Sequence, residues 1–143
     1  MTDLHYLSIS EAGALIAKGN LSPVEYVEAL VARIEKINPK LDAFLLVAGD
    51  RARADAKVAE VEISGGNYRG PMHGIPYGLK DIIDYAGLKT TAHSRLLQDN
   101  VAKTDATTTA KLKAAGGIFM GKMATHEFAI GGPSFDLPWP PAR

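Results

Sequence analysis

The sequence contains no cysteine. That removes thiolate nucleophiles, disulfides and Cys-ligated metals, and it suits a cytoplasmic address. Neither sign of charge is in excess, because 16 Lys and Arg balance 16 Asp and Glu. No long-range field therefore favours nucleic acid or an anionic membrane. No apolar run approaches the ~20 residues of a membrane span. The start, Met1-Thr2-Asp3-Leu4-His5, lacks the basic-then-apolar order of a secretion signal. Four histidines (His5, His73, His93 and His126) never fall at metal-ligand spacing, and His126-Glu127 alone is no zinc site. Hydrogen bonding within loops is their expected use, and no metal is expected. Basic and aromatic residues do not interleave as on a nucleic-acid surface. Adjacent serines are missing too: Ser8, Ser10, Ser22, Ser64, Ser94 and Ser134 each stand alone.

What remains is ordinary globular material. The chain has 143 residues, 46% apolar and 22% charged, enough for one domain with a sizeable core. Ser8 and Glu11 have capping-box spacing, and Gly19 closes the short helix they open. Ser22-Pro23 opens a second helix, with Pro at its first position and an apolar stripe through Val24, Val27, Val31 and Ile34. Asn38-Pro39 is expected to stop it. Ala43-Phe44-Leu45-Leu46-Val47 reads as a buried strand. A third helix from about Asp50 to Ile63 shows Ala52, Ala56 and Ala59 on one side, small residues suited to close packing. Asp105 is expected to cap a helix running to Ala115, and Ile118-Phe119-Met120 to form another buried strand. From Gly131 onward, four prolines forbid regular structure. Helices first, then strands alternating with helices, predict an α/β or α+β layer architecture.

The chemistry concentrates between Gly70 and Asp84. Gly70-Pro71 and Gly74-Ile75-Pro76 shape a stiff loop that feeds a short apolar strand ending at Lys80. A lysine at such a strand end can be held in a dry pocket, where burial disfavours its charged form and makes it a general base. It can equally be a solvated lysine snorkelling off a strand edge. Gly116 to Lys122 has P-loop spacing, but Met123 stands where a hydroxyl must reach Mg²⁺. The segment is also itself a strand, so nucleotide binding is not expected.

Several segments, taken in order, resemble the amidase signature family, serine hydrolases with a Ser–cis-Ser–Lys triad. They are Gly70-Pro71-Met72-His73-Gly74-Ile75-Pro76, Leu79-Lys80-Asp81, Gly87-Leu88-Lys89-Thr90-Thr91, Asp105-Ala106-Thr107, Leu112-Lys113-Ala114-Ala115-Gly116, Gly121-Lys122 and His126-Glu127-Phe128-Ala129. The resemblance runs from about Ser22 to Gly132. It implies the N-terminal part of the amidase signature fold, a mixed sheet flanked by helices and preceded by two or three N-terminal helices. On it, residues 1–143 are the N-terminal part of one such domain, ending before the catalytic serines. In the family those serines lie in a segment beginning Gly-Gly-Ser-Ser, of which Gly131-Gly132-Pro133-Ser134 is only an echo.

The resemblance implies that Lys80 is the triad lysine. A neutral lysine takes a proton, through the bridging serine, from the nucleophile and later returns it to the leaving amine. It also implies that Phe128, Ala129, Ile130, Gly131 and Gly132 form a substrate-side loop. Asp81 would orient its neighbours and Thr90-Thr91 support the strand, or all three simply satisfy local backbone. The expected partners are a small-molecule amide substrate and the rest of the amidase domain, with a homodimer compatible. No cofactor, nucleic acid or membrane is implied. The expected function is hydrolysis of a small carboxamide, with the 143-residue chain inactive alone. Two alternatives stand beside it: the A subunit of a tRNA-dependent amidotransferase, and a catalytically dead scaffold or binding module. The aromatic-proline tail favours a stand-alone amidase over the amidotransferase. Ala124 and His93 depart from the residues many members carry there.

Overall fold

The computed structural model describes residues 3–143. Among the described residues four α-helices and three strands follow one another as α1 (Ile9–Ala17), α2 (Pro23–Leu41), β1 (Phe44–Val47), α3 (Gly49–Ser64), β2 (Pro76–Lys80), α4 (Thr107–Ala114) and β3 (Ile118–Met123). The strands form one sheet in the order β1-β3-β2. β1 runs antiparallel to β3, with Phe44 opposite Met123 and Val47 opposite Gly121. Ile118 donates its N–H to the Ile75 carbonyl, and Asp81 donates to Met123, so β2 and β3 advance in the same direction. The sheet is therefore mixed, as the resemblance implies. Among the described residues no helix is long and apolar enough to cross a membrane.

Packing divides the chain into two compact units. The first holds the residues up to Lys36, Ala48–Tyr77 and Leu112–Met120. Its core gathers Ala12, Ile16, Leu21, Tyr26 and Ile75, with Leu15, Leu30 and Met72 packed around them. α1 opens with the expected capping box, Ser8 Oγ accepting from the Glu11 N–H while Glu11 reaches back to the Ser8 N–H at 2.8 Å. Ser22 Oγ accepts from the N–H groups of Val24 and Glu25 at 3.0 and 3.1 Å, and its hydroxyl donates to Glu60. Ala52 and Ala56 of α3 are fully buried, as their size suggested.

The second unit holds Ile37–Val47, Gly78–Lys111 and Gly121–Arg143. Three expectations need correction. Pro39 lies inside α2 and does not end it; the helix runs to Leu41. The stop is Asp42, in the left-handed region at φ 52°. Its N–H bonds to the Asn38 carbonyl at 2.8 Å and so closes the final turn. Second, β1 is an edge strand, and its residues are half-buried or exposed. Third, α4 begins at Thr107, two residues past Asp105, whose Oδ1 accepts the Ala86 N–H at 2.8 Å.

Candidate functional site

Within the second unit β2 delivers Lys80 to the lip of a cavity of about 290 Å³, shared with Thr125, His126, Ala129, Pro133 and Pro141. Gly78 leaves room for the Met123 side chain against β2, since a Cβ there would lie 2.6 Å from Met123 Sδ. Lys80 faces a cleft but is exposed, so the dry setting expected from the sequence is not met in this chain. The reason is local. β2 ends at Lys80, and the cavity walls beside it are largely small or cyclic residues that do not cover an ammonium group. Lys80 makes no side-chain hydrogen bond or ion pair among the described residues. Its position is set by its backbone.

The next residue fixes that backbone. Asp81 is 1% exposed, and its Oδ1 lies 3.0 Å from Nζ of Lys122, also 1% exposed. Asp81 Oδ2 accepts the Thr91 N–H at 2.9 Å and the Thr91 hydroxyl. The Asp81 carbonyl takes the Ala92 N–H at 2.8 Å, and its own N–H bonds to Met123. Lys122 Nζ also donates to the Ile83 carbonyl at 2.8 Å and to Thr90 Oγ1 at 2.9 Å. Every ammonium proton thus has an acceptor, the condition under which a buried ion pair is tolerable. Sequence reading misses Lys122 as a site residue because the P-loop spacing draws attention to the glycines. The available signal is a lysine inside an apolar strand, a position that demands a partner.

Two strained dipeptides border this cluster. Ala92 and His93 have φ of 49° and 55°, and Phe128 and Ala129 have φ of 50° and 62°. Left-handed geometry at four non-glycine residues costs about 1–2 kcal/mol each, so tertiary contacts must impose it. The contacts are visible: Phe128 donates its N–H to the Ala92 carbonyl at 2.9 Å, and Ser94 Oγ donates to Glu127 at 2.7 Å. His93 meets the tail through Trp139, whose carbonyl lies 3.2 Å from Nε2 and whose ring stands edge-on at 5.7 Å. Of the expected substrate loop, Ala129 lines the cavity. Phe128, Ile130, Gly131 and Gly132 are exposed. Thr125 Oγ1 is buried without a hydrogen-bond partner among the described residues, a feature the sequence did not announce. The described residues hold no cluster of His, Asp and Glu suited to a metal ion.

Comparison with known proteins converges on one group. The family described as amidase matches residues 25–134. The A subunit of a glutamyl-tRNA(Gln) amidotransferase from Roseiflexus castenholzii is 41% identical over 131 residues, which are 92% of this chain and 26% of that protein. An acylamidase from Rhodococcus erythropolis is 36% identical over 125 residues, 87% of this chain and 26% of its own length. A solved structure, from a vestigial protein complex bearing on the origins of an s-triazine catabolic enzyme, superposes with a TM-score of 0.88. It is 30% identical, and the match covers 96% of this chain and 30% of its own. The chain spans about a quarter to a third of the length of the relatives it matches.

Proposed function

The chain belongs to the amidase signature family, and from that premise we propose that it supplies the general base, Lys80, to a serine hydrolase of amide bonds. The observation that supports this reading is Lys80 at the end of β2, lining a cavity together with Thr125, His126 and Ala129. The serines come from polypeptide beyond residue 143, which also closes the cavity and removes water from around the amine. Lys80 then accepts the nucleophile's proton through the bridging serine. The serine oxygen bonds to the acyl carbon, the C–N bond breaks, and the proton passes to the leaving amine. Water cleaves the resulting ester by the same relay. The chain's own residues 128–132 border the acyl group.

A second reading concerns the acceptor and is favoured by the curated relatives, of which several are amidotransferase A subunits. On it the ammonia released from an amide is passed to a partner protein, whereas the small-carboxamide amidase releases it to water. The full-length polypeptide carrying this chain is assayed for ammonia release from glutamine and from aliphatic amides, alone and with a glutamyl-tRNA-binding partner. Turnover of aliphatic amides without a partner supports the stand-alone enzyme, and glutamine turnover that needs the partner supports the amidotransferase. Lys80→Ala lowers turnover about 10²- to 10⁴-fold in either case. Unchanged turnover in that variant, or hydrolysis by the 143-residue chain alone, overturns the proposal.

A further inference from the structure

We propose that the buried Asp81–Lys122 pair, held by Thr91, is a positioning device for Lys80; the inference rests on Lys80 being the base. Three observations carry it. The side chain of Lys80 has no protein partner among the described residues, so within this chain its backbone alone fixes where the side chain enters the cavity. That backbone is fastened one residue further on by Asp81, through its N–H, its carbonyl and both carboxylate oxygens. The fastening is itself anchored across the fold, because Lys122 ties β3 to the Ile83 carbonyl and to Thr90.

The chemistry gives the arrangement its sense. Burying two ions is costly, and apolar residues of similar volume often stabilise a fold as well or better. A buried pair is therefore a weak device for stability and a good one for fixing geometry, since its directional bonds hold only one arrangement. A base must sit within hydrogen-bond reach of its hydroxyl, and a misplacement of about 1 Å can cost 10²-fold. Lys122 and Asp81 are buried and do not line the cavity. They act through the strand end.

The test uses the full-length polypeptide carrying this chain and a fluorophosphonate that labels an activated serine, so no natural substrate need be known. Labelling rate is read beside the thermal midpoint for four variants. Thr91→Val deletes one bond to Asp81 and is expected to slow maximal labelling about tenfold, with the half-saturating probe concentration held within about twofold. Thr91→Ser, which keeps the hydroxyl, is expected to label at the parental rate. The double variant Asp81→Asn with Lys122→Met removes both charges and is expected to keep a near-parental midpoint while labelling at least about tenfold more slowly. Lys80→Ala is the control. A merely structural pair would move the midpoint and leave labelling per folded molecule unchanged. Parental labelling by Thr91→Val, or by a folded double variant, overturns the inference while a slow Lys80→Ala leaves the base assignment standing. Parental labelling by Lys80→Ala overturns both.

Discussion

His73 is 1% exposed, and its Nδ1 accepts the Arg69 N–H at 3.1 Å, which leaves the ring proton on Nε2, 3.0 Å from Glu62 Oε2. Burial pushes its pKa down, the Arg69 charge adds to that, and Glu62 opposes both. Glu62 is itself held below the usual carboxylate range, chiefly by its hydrogen bond with Arg69. A depressed folded pKa gives stability that is present above the unfolded value and lost as pH falls. Both groups therefore act in the same direction, His73 below about pH 6.5 and Glu62 below about pH 4.3. The thermal midpoint is expected to fall between pH 7 and pH 5 by more in the parent than in His73→Gln. Equal falls would remove His73 from the account. A second residue-scale test uses two glycines of similar backbone. Gly116 has φ 78° and its Cβ would lie 2.3 Å from His73 Cδ2, whereas Gly66 has φ 86° and open space. Both alanine variants bear the left-handed strain of about 1–2 kcal/mol, but Gly116→Ala adds an overpacking cost of about 1–3 kcal/mol. Matching chemical-denaturation midpoints for the two would refute the close approach.

At the level of elements, the second helix shows where reading a sequence succeeds and where it stops. Its start is legible because Ser22-Pro23 is local chemistry, a cap and a preset φ. Its end is not, because Pro39 forfeits one bond near the terminus while the stop depends on Asp42 adopting φ 52°. Asn38 supports that junction from its side chain, accepting the Phe44 N–H at 2.8 Å and donating to the Phe44 carbonyl at 3.0 Å. Asn38→Ala leaves both Phe44 groups without that partner and is expected to destabilise by about 1–3 kcal/mol in urea titration. Asn38→Asp keeps the acceptor and is expected to lose less. Likewise β1 reads as buried because its residues are uniformly apolar, and only sheet order reveals an edge. Ser8→Ala, which breaks the capping box of α1, is expected to cost about 1 kcal/mol by the same measurement.

For the molecule as a whole, the mixed sheet could be read because ordered motifs carried a family resemblance, and the two helices ahead of β1 because their starts are local capping signals. Lys122 could not, since its partner lies 41 residues away and only the folded chain brings Asp81 to it. The chain leaves Leu96, Ile130 and Phe135 about four-fifths exposed, at 83%, 78% and 82%. Edge strands and exposed apolar side chains favour association. The isolated chain is expected to bind a hydrophobic dye and to self-associate in sedimentation at micromolar concentration, and the full-length polypeptide to do neither. A monodisperse, dye-silent chain would count against a missing covering.

The link between Phe128 and Ala92 reaches further than either loop. Neither turn holds its unfavourable backbone by itself, and part of what holds each is supplied by the other. The wall of the cavity and the segment that braces Asp81 are thus joined by a backbone bond, so motion in one is expected to reach the other, and amide exchange at Phe128 should follow that at Ala92.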